Sequence, residues 1–430
     1  MEIERFSLHI DSMAYGGRGV GRRGDGKVVF VDMAIPGETV RAFLTEDHKS
    51  YALAEPEELI EVSPHRVSPP CPLFYDCGGC DWQHIAYLQQ VVFKQDILLS
   101  QVRAGCPREK PEVAEPAVSA QEYGYRTHTI VRCSHEDGFR MGFYRKKSNI
   151  VVPFDRCLVL NELIQEKLDA FGDILRTTPL KSLASLEIHA PREEVLVRAM
   201  CRGRTNKRDM ESLSMAFKHL EIQGLSYLPL GERQREYTLG TNACCYELPV
   251  HDTRLVLSTG FGGFIQANSA VNEEMVSHVA ELAKGSRRVL DLYCGNGNFT
   301  LALSLDAEEV MGMERDPGLV RLAKANAGAN GLTNVRFSCL DVVKGLSSLS
   351  HEKHPVETVV LDPPREGAKE VVQTLAQMKP DRIIYISCNP STLSRDLATL
   401  IQAGYTLRQV RLFDMFPQTY HIESVSYLLR

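Results

Sequence analysis

The run VLDLYCGNGNFTLAL, Val289 to Leu303, decides the fold class. Its first residues are apolar and β-branched, the pattern of a buried strand. Gly295 and Gly297 follow directly, ahead of an apolar stretch that reads as a helix. Glycines between a strand and a helix let the backbone turn sharply and approach a ligand. A dinucleotide fingerprint would place a third glycine where Thr300 stands, so a bound pyrophosphate loses support. Around this run the chain alternates. NEEMVSHVAELA and PGLVRLAKANAGANG read as helices; EVMGMER, VRFSCLD, ETVVLDPP and RIIYISC read as strands. Such alternation predicts a parallel, doubly wound, Rossmann-like sheet with ligands at the carboxyl ends of its strands.

Acids punctuate those strand ends. Glu314 closes the strand after the glycine turn and is placed to accept hydrogen bonds from ribose hydroxyls. Asp341 follows the next strand, where an adenine edge would lie, and LDPP puts Asp362 after the fourth. A cofactor with ribose and adenine but no pyrophosphate fits this set, and S-adenosylmethionine is that cofactor. The bland alternative is that Glu314 and Asp341 are helix-cap or turn acids.

The chain has 430 residues, enough for two or three domains. Three are expected: 1–63, 64–262 and 263–430. The first shows short strands between Gly, Pro and Asp turns, the pattern of a small OB-like barrel. It holds 7 Lys/Arg against 12 Asp/Glu, so a solvated structural barrel is as fair a reading as a nucleic-acid binder. SPHRVSPP reads as a linker. The middle region mixes strand-like runs (ASLEIHA, EEVLVRAM) with helical ones (AYLQQVVFKQDILLSQV, LNELIQEKLDAFGDIL), an α+β pattern. No apolar run approaches membrane-spanning length, and MEIERFSLHI carries no signal segment, so a cytoplasmic protein is expected. Its 12 cysteines are then reduced thiols, open to metal binding or nucleophilic chemistry.

CPLFYDCGGCDWQH carries Cys71, Cys77 and Cys80 as C-x5-C-x2-C. Structural zinc favours paired knuckles. Three local sulfurs with a distant fourth occur in several iron–sulfur proteins, and spacing alone favours a cluster over zinc. Cys157, Cys106, Cys133 and Cys201 are the candidates for the fourth ligand. The net charge is −6, so any nucleic-acid contact must come from local positive charge. YRTHTIVRCSHEDGFRMGFYRKK, Tyr125 to Lys147, interleaves Arg126, Arg132, Arg140, Arg145, Lys146 and Lys147 with Phe139, Phe143 and Tyr144. Cations beside aromatics suit phosphate contact and base stacking. VRAMCRGRTNKR, Val197 to Arg208, is a second basic run.

YISCNPSTLSRDL, Tyr385 to Leu397, sets Cys388 where a strand ends and a helix begins. A buried cysteine is ordinarily a small hydrophobe. Methyl transfer to nitrogen or oxygen needs no enzyme nucleophile, but carbon 5 of a pyrimidine is a poor nucleophile. Adding a thiolate to carbon 6 breaks the ring conjugation and lets carbon 5 attack a methyl sulfonium. A base must then remove the carbon 5 proton, and DMFPQTYHIESVSYLLR offers His421 and Glu423. Cytosine-5 methylation of RNA typically pairs this cysteine with another after the fourth-strand prolines. DPPR stands there instead.

CGGCDWQH, FIQAN, DLYCGNGNF, LDPPREG, YISCNPSTLSRDL and FPQTYHIES together resemble the RNA uracil-5 methyltransferase family, from the cysteine loop to the last strand. The amino-terminal segment is similar to a TRAM domain. TRAM plus the cysteine loop resembles the 23S ribosomal RNA branch more than the bacterial transfer-RNA branch. The resemblance implies Cys388 as nucleophile and Glu423 as base. It implies Gln266, Tyr293, Asn298, Glu314, Asp341 and Asp362 around S-adenosylmethionine, beside Gly295 and Gly297, and a [4Fe-4S] cluster on Cys71, Cys77, Cys80 and Cys157. Phe264 resembles a residue lining the pocket for a flipped base. The resemblance also implies that residues 93–124 pack on the catalytic domain. Thr127 and His128 stand where several relatives look more basic. A monomer acting on RNA is expected, with a transfer-RNA enzyme, or an inactive RNA-binding iron–sulfur protein, as the competing readings.

Overall fold

The computed structural model describes residues 4–136, 138–178, 180–203, 207–231, 236–349 and 356–430. Arg5–Met13, Gly19–Arg22, Val28–Val31, Thr39–Asp47 and Tyr51–Glu61 close a five-stranded barrel in the spatial order first, second, third, fifth, fourth. Leu8, Ile10, Val29, Val31, Val40, Ala42, Ala52 and Ala54 alternate inward to fill it. The second strand, GVGR, alternates glycine with larger residues inside the glycine-rich stretch YGGRGVGRRGDG. A Cβ at Gly21 would sit 2.2 Å from the His9 carbonyl oxygen, and one at Gly19 would sit 2.6 Å from that of Ala34. Those glycines are what let a strand pass so close to its bulged neighbour, whose register shifts between Ile10 and Ser12.

The middle of the chain builds a seven-stranded sheet. Its order is Tyr237–Gly240, Gly224–Leu230, Leu196–Arg202, Leu183–His189, His128–Ser134, Arg140–Tyr144, Val151–Pro153. Helices Glu162–Thr177 and Lys207–Leu220 share a core with it: Ile164, Leu168, Phe171, Leu213 and Leu220 meet Val131, Leu186, Ile188 and Val197. Asn161 starts the first helix, its side chain accepting from the Ile164 amide at 2.9 Å.

The carboxyl-terminal unit is an eight-stranded α/β sheet, as the alternation predicts. The order is Val335–Cys339, Glu309–Glu314, Arg288–Leu292, Thr358–Leu361, Arg382–Ser387, Glu423–Leu429, Thr406–Phe413, Glu112–Val113. The first five strands are parallel, and Glu423–Leu429 runs antiparallel to both neighbours. The last strand of this order comes from far upstream in the chain. Helix Tyr87–Gly105 packs on helix Pro390–Gln402, where the Ser394 hydroxyl donates to the Gln101 carbonyl at 2.7 Å. Glu112–Val113 then adds in parallel to Thr406–Phe413, and Ala117 bridges to Phe413. Hairpin Ala243–Val250 and Thr253–Gly260 also belongs to this core. Its Leu248, Val250, Leu255 and Leu257 are buried with Val271, Met275 and Val279 of helix Ser269–Ala283. Among the described residues no helix is long and apolar enough to cross a membrane.

Candidate active site

Strand register brings three distant residues together. Leu361 pairs with Tyr385, and Ser387 pairs with Ser424. Asp362, Cys388 and Glu423 are the residues adjoining those pairs at one end of three neighbouring strands. Burial pushes the Cys388 thiol up to about 12; Glu423 and Asp362 add to the rise, and Arg365 opposes it. The Glu423 carboxyl lies well above the usual carboxylate range, first by burial and then through Asp362, again against Arg365. Asp362 is raised by burial to about 7. Glu423 is 5% exposed and its Oε1 has no hydrogen-bond partner. Burial raises the thiol and both carboxyls together, with one guanidinium facing them. Such a site suits a neutral ring and lends its acid a strong conjugate base. His421, the rival base, is pulled down to about 4 by burial and by Arg365, Lys94 and Arg126.

The glycine turn lies at the same ends of the parallel strands. Gly295 has φ +56° with open space where a Cβ would be, and Gly297 has φ +94° with Leu301 2.5 Å from that point. One glycine faces open space and the other packs. Tyr293, at φ +64°, holds left-handed backbone that a bulky residue seldom adopts outside functional turns. The Gly295 amide donates to Glu314 Oε2 at 3.3 Å, which sets that carboxylate beside the turn. Its other oxygen accepts from the Asp316 amide at 2.8 Å. Asp341 is exposed and accepts from the Lys344 amide at 3.3 Å, so it also caps the helix it precedes. Asn298 exchanges two 3.0 Å hydrogen bonds with Asn272, which ties the turn to helix Ser269–Ala283 just after Gln266. Thr300 donates to buried Asp291, which explains its place where a dinucleotide fingerprint needs glycine. Phe264 is 64% exposed, free to meet a ligand.

Cys71, Cys77, Cys80 and Cys157 line one cleft of about 460 Å³, with Arg126, His128, Arg132, Arg365, Phe416 and His421 on its other walls. The Gly79 amide donates to Cys77 Sγ at 3.4 Å. The amides of Val159 and Leu160 serve Cys157, and the Gln83 side chain serves Cys80. Among the described residues, the compact set with ligand atoms within 4.8 Å of one another is different: His128, Glu187 and His189. Its facing atoms are already paired with one another. Glu187 accepts from both imidazoles, at 3.3 and 3.1 Å, and Arg198 lies 3.4 Å from its other oxygen. Arg198 also clasps Glu236 at 2.8 Å, so this part of the second basic run is spent inside the protein. Arg204 of that run lies outside the described residues. In the first run, Arg132 stacks 4.9 Å from the Tyr144 ring and Lys146 5.0 Å from Phe74. Arg145 pairs with exposed Asp76 at 3.4 Å.

The segment before Glu423 is held from outside its own sheet. Gln418, at φ +68°, accepts on its carbonyl from the amides of Asp81 and Trp82 at 2.9 and 3.0 Å. The Gln90 side chain closes a ring with Gln418: its Nε2 donates to Oε1, and the Gln418 amide donates back, both at 2.9 Å. Tyr125 donates to the Pro417 carbonyl at 2.9 Å. Below lies a fully buried ion pair, Lys94 Nζ to Asp414 Oδ1 at 2.6 Å, with a second bond to the Phe416 carbonyl at 2.9 Å. Sequence reasoning singled out none of Arg365, Asp291, Lys94, Asp414 or Gln418. Arg365, Asp291, Asp414 and Gln418 do sit inside quoted motifs; Lys94 gives no sign, since a lysine in an amphipathic helix ordinarily faces water.

The tRNA (Uracil-5-)-methyltransferase family model matches residues 94–430, and the TRAM domain model matches 3–56. The 23S rRNA (uracil(1939)-C(5))-methyltransferase RlmD of Shewanella sp. (strain MR-4) is 35% identical, covering 98% of this chain and 95% of that protein. The enzyme of the same name from Aeromonas hydrophila subsp. hydrophila is 33% identical, covering 98% and 96%. Among solved structures, the Pyrococcus abyssi tRNA (uracil-54, C5)-methyltransferase in complex with S-adenosyl-L-homocysteine shares the fold. Its TM-score is 0.75 at 22% identity, over 98% of this chain and 100% of that one. A family model over residues 94–430, a TRAM domain ahead of it and whole-length relatives at 33–35% identity place this chain in the S-adenosylmethionine-dependent RNA uracil-5 methyltransferase family.

Proposed function

We propose that this protein methylates carbon 5 of a uridine in 23S ribosomal RNA, with Cys388 as nucleophile and Glu423 as base. The observation that carries the reading is the convergence of Cys388, Asp362 and Glu423 on adjoining strand ends with Arg365 facing them. Arg365 offsets the two carboxyls and lowers the cost of forming the thiolate. Cys388 releases its proton to solvent and Sγ adds as thiolate to carbon 6 of the uracil, the C5=C6 electron pair moving towards the C4 oxygen. S-adenosylmethionine, when bound, supplies the methyl group that carbon 5 takes up. Glu423 Oε1, unpartnered in its burial, accepts the carbon 5 proton, and elimination returns the thiolate. We assign Gln266, Tyr293, Gly295, Gly297, Asn298, Glu314, Asp341 and Asp362 to the cofactor pocket, and Phe264 to the flipped base. Whole-length relatives that carry that name support the ribosomal target.

We assign a [4Fe-4S] cluster to Cys71, Cys77, Cys80 and Cys157. Thiolates on four separate irons stand farther apart than ligands sharing one ion, so a shared cleft suits a cluster where a compact set would suit zinc. The amide donors on Cys77 and Cys157 suit thiolate sulfur. When bound, the cluster supplies a rigid cross-link. Asp81 and Trp82 follow Cys80 directly and hold the Gln418 carbonyl, so order in the cysteine loop reaches the segment that ends at Glu423. We assign domains 1–63, 64–262 and 263–430 to one cytoplasmic monomer, with 93–124 and the hairpin at 243–260 joined to the catalytic unit.

The test uses Glu423→Gln, which keeps the shape and cannot take the proton. Incubated with a 23S rRNA fragment and S-adenosylmethionine, it should accumulate a methylated protein–RNA adduct on a denaturing gel. Cys388→Ala should give neither adduct nor product, and a transfer-RNA transcript should give no adduct. Normal turnover by Glu423→Gln would remove Glu423 from its role. Adduct on transfer RNA alone would move the target.

A further inference from the structure

The amino-terminal barrel reaches the nucleophile. The Tyr15 hydroxyl, on the loop between the first two barrel strands, donates to the Cys388 carbonyl at 3.2 Å. The amide on the other side of that peptide, Asn389 N–H, donates to Ser387 Oγ at 3.2 Å. One peptide group is thus gripped at both polar ends, and it is the group that carries the Cys388 side chain into the site. The Asn389 side chain adds to the grip. Its Oδ1 caps the helix at the Ser391 amide, and its Nδ2 donates to the Arg365 carbonyl at 3.0 Å.

The loop is seated firmly enough to do this. Tyr15 meets the Tyr420 ring edge-on, with centroids 5.9 Å apart at 87°. The Gly17 carbonyl accepts from Trp82 Nε1 at 3.3 Å. Gly17 has φ +87°, and a Cβ there would lie 3.1 Å from both Trp82 and Tyr420. Met13 and Ile35 of the barrel are buried in the same core as Trp82, Ile85 and Tyr385. Burial, with Cys388 and Glu423 nearby, pushes the Tyr15 hydroxyl to about 12, so it remains a donor at neutral pH.

We propose that Tyr15 is a positioning residue for the nucleophile: the barrel, besides any hold it has on RNA, fixes the peptide that aims the Cys388 thiol at carbon 6. The proposal rests on the nucleophile role of Cys388. A thiol must approach carbon 6 along a narrow path, and a small rotation of its peptide costs rate without costing affinity. Nothing else among the described contacts donates to that carbonyl, so a phenylalanine at 15 leaves it unpaired while keeping the ring packing.

The experiment measures adduct formation with a 23S rRNA fragment carrying 5-fluorouridine, at saturating RNA and S-adenosylmethionine. Tyr15→Phe should slow the adduct about tenfold, the scale of one lost hydrogen bond, with RNA affinity within about twofold of wild type. Tyr15→Leu should be slowed at least as much. If Tyr15→Phe matches wild type while Tyr15→Leu is slow, the ring packs and the hydroxyl does nothing. If affinity falls and the saturated rate does not, the barrel only holds RNA. Either result overturns the proposal. Adduct persisting in Cys388→Ala would instead overturn the nucleophile reading, so the two failures are told apart.

Discussion

Lys94→Met cuts the buried support under the catalytic segment, and its cost can be worked from the contacts. Lys94 and Asp414 are both fully buried. Removing the ammonium leaves Asp414 with one remaining partner, the Tyr87 hydroxyl at 2.7 Å. It also removes one donor from the Phe416 carbonyl, which keeps those of Thr419. Breaking a buried ion pair by deleting one member costs about 3–5 kcal/mol, because a desolvated charge is left behind. Lys94→Met/Asp414→Asn removes that charge and keeps an acceptor for Tyr87. Its cost should fall to about 1–2 kcal/mol, the scale of the hydrogen bonds lost with the ammonium. The double variant should therefore be more stable than the single one by about 2 kcal/mol, which reports the charge rather than the packing. The assay is built in: Trp82 is the chain's single tryptophan, fully buried, with Lys94 Nζ 5.9 Å from its ring. Its fluorescence in a urea titration follows unfolding at this place. Equal midpoints for wild type and Lys94→Met, or a double variant weaker than the single one, would refute the reasoning.

Asp291 is fully buried, and burial lifts its carboxyl to about 7. The native state holds a proton that the unfolded chain has released, so stability should fall as pH rises from about 4 to about 7, by about 2–4 kcal/mol. Asp291→Asn should flatten this slope in thermal melts; an unchanged slope would mean the carboxylate is solvated. Anaerobically purified protein should contain iron and lose it in Cys157→Ala; zinc without iron in the anaerobic protein would remove the cluster assignment. Reversing charge at Arg145 and Lys146, at the tip of the basic hairpin, should weaken RNA binding and flatten its salt dependence. Equal affinity at low and high salt would place the RNA elsewhere.

Local pattern carried far in this chain. The barrel was legible because turns and alternating apolar residues recur at short intervals, and the α/β sheet because each strand is a continuous apolar run followed by helical spacing. GVGR was not legible as a strand, because its glycines answer to the carbonyls of His9 and Ala34 and not to any local periodicity. Arg198 reads as an RNA contact in the sequence, but it pairs with Glu187 on the adjacent strand and with Glu236 just ahead of Tyr237–Gly240. At the site, Cys388 announced itself by standing at a strand end. What surrounds it, Tyr15 from one end of the chain and Glu423 from the other, depends on pairings that no window of sequence contains. Thr300 is a middle case. Its departure from glycine was visible, but the reason, a bond to buried Asp291, was not.

The strand Glu112–Val113 on the far edge of the catalytic sheet has a consequence for how the protein is made. Its partner, Thr406–Phe413, lies some 300 residues downstream. At about 5–20 residues per second, a ribosome needs roughly 15–60 s to deliver that partner after residue 113 has been added. The helix Tyr87–Gly105 waits as long for helix Pro390–Gln402, with Val91, Ile97 and Leu98 uncovered. The barrel can close early, since its strands are neighbours in the chain. The catalytic sheet cannot. A nascent chain that stalls before residue 406 exposes both the waiting helix and an unfinished sheet, and it lacks the strand that carries Glu423. Prematurely terminated products should therefore be aggregation-prone and, on the proposed role of Glu423, inert, and the enzyme's yield in the cell should depend on whatever shields that helix during the wait.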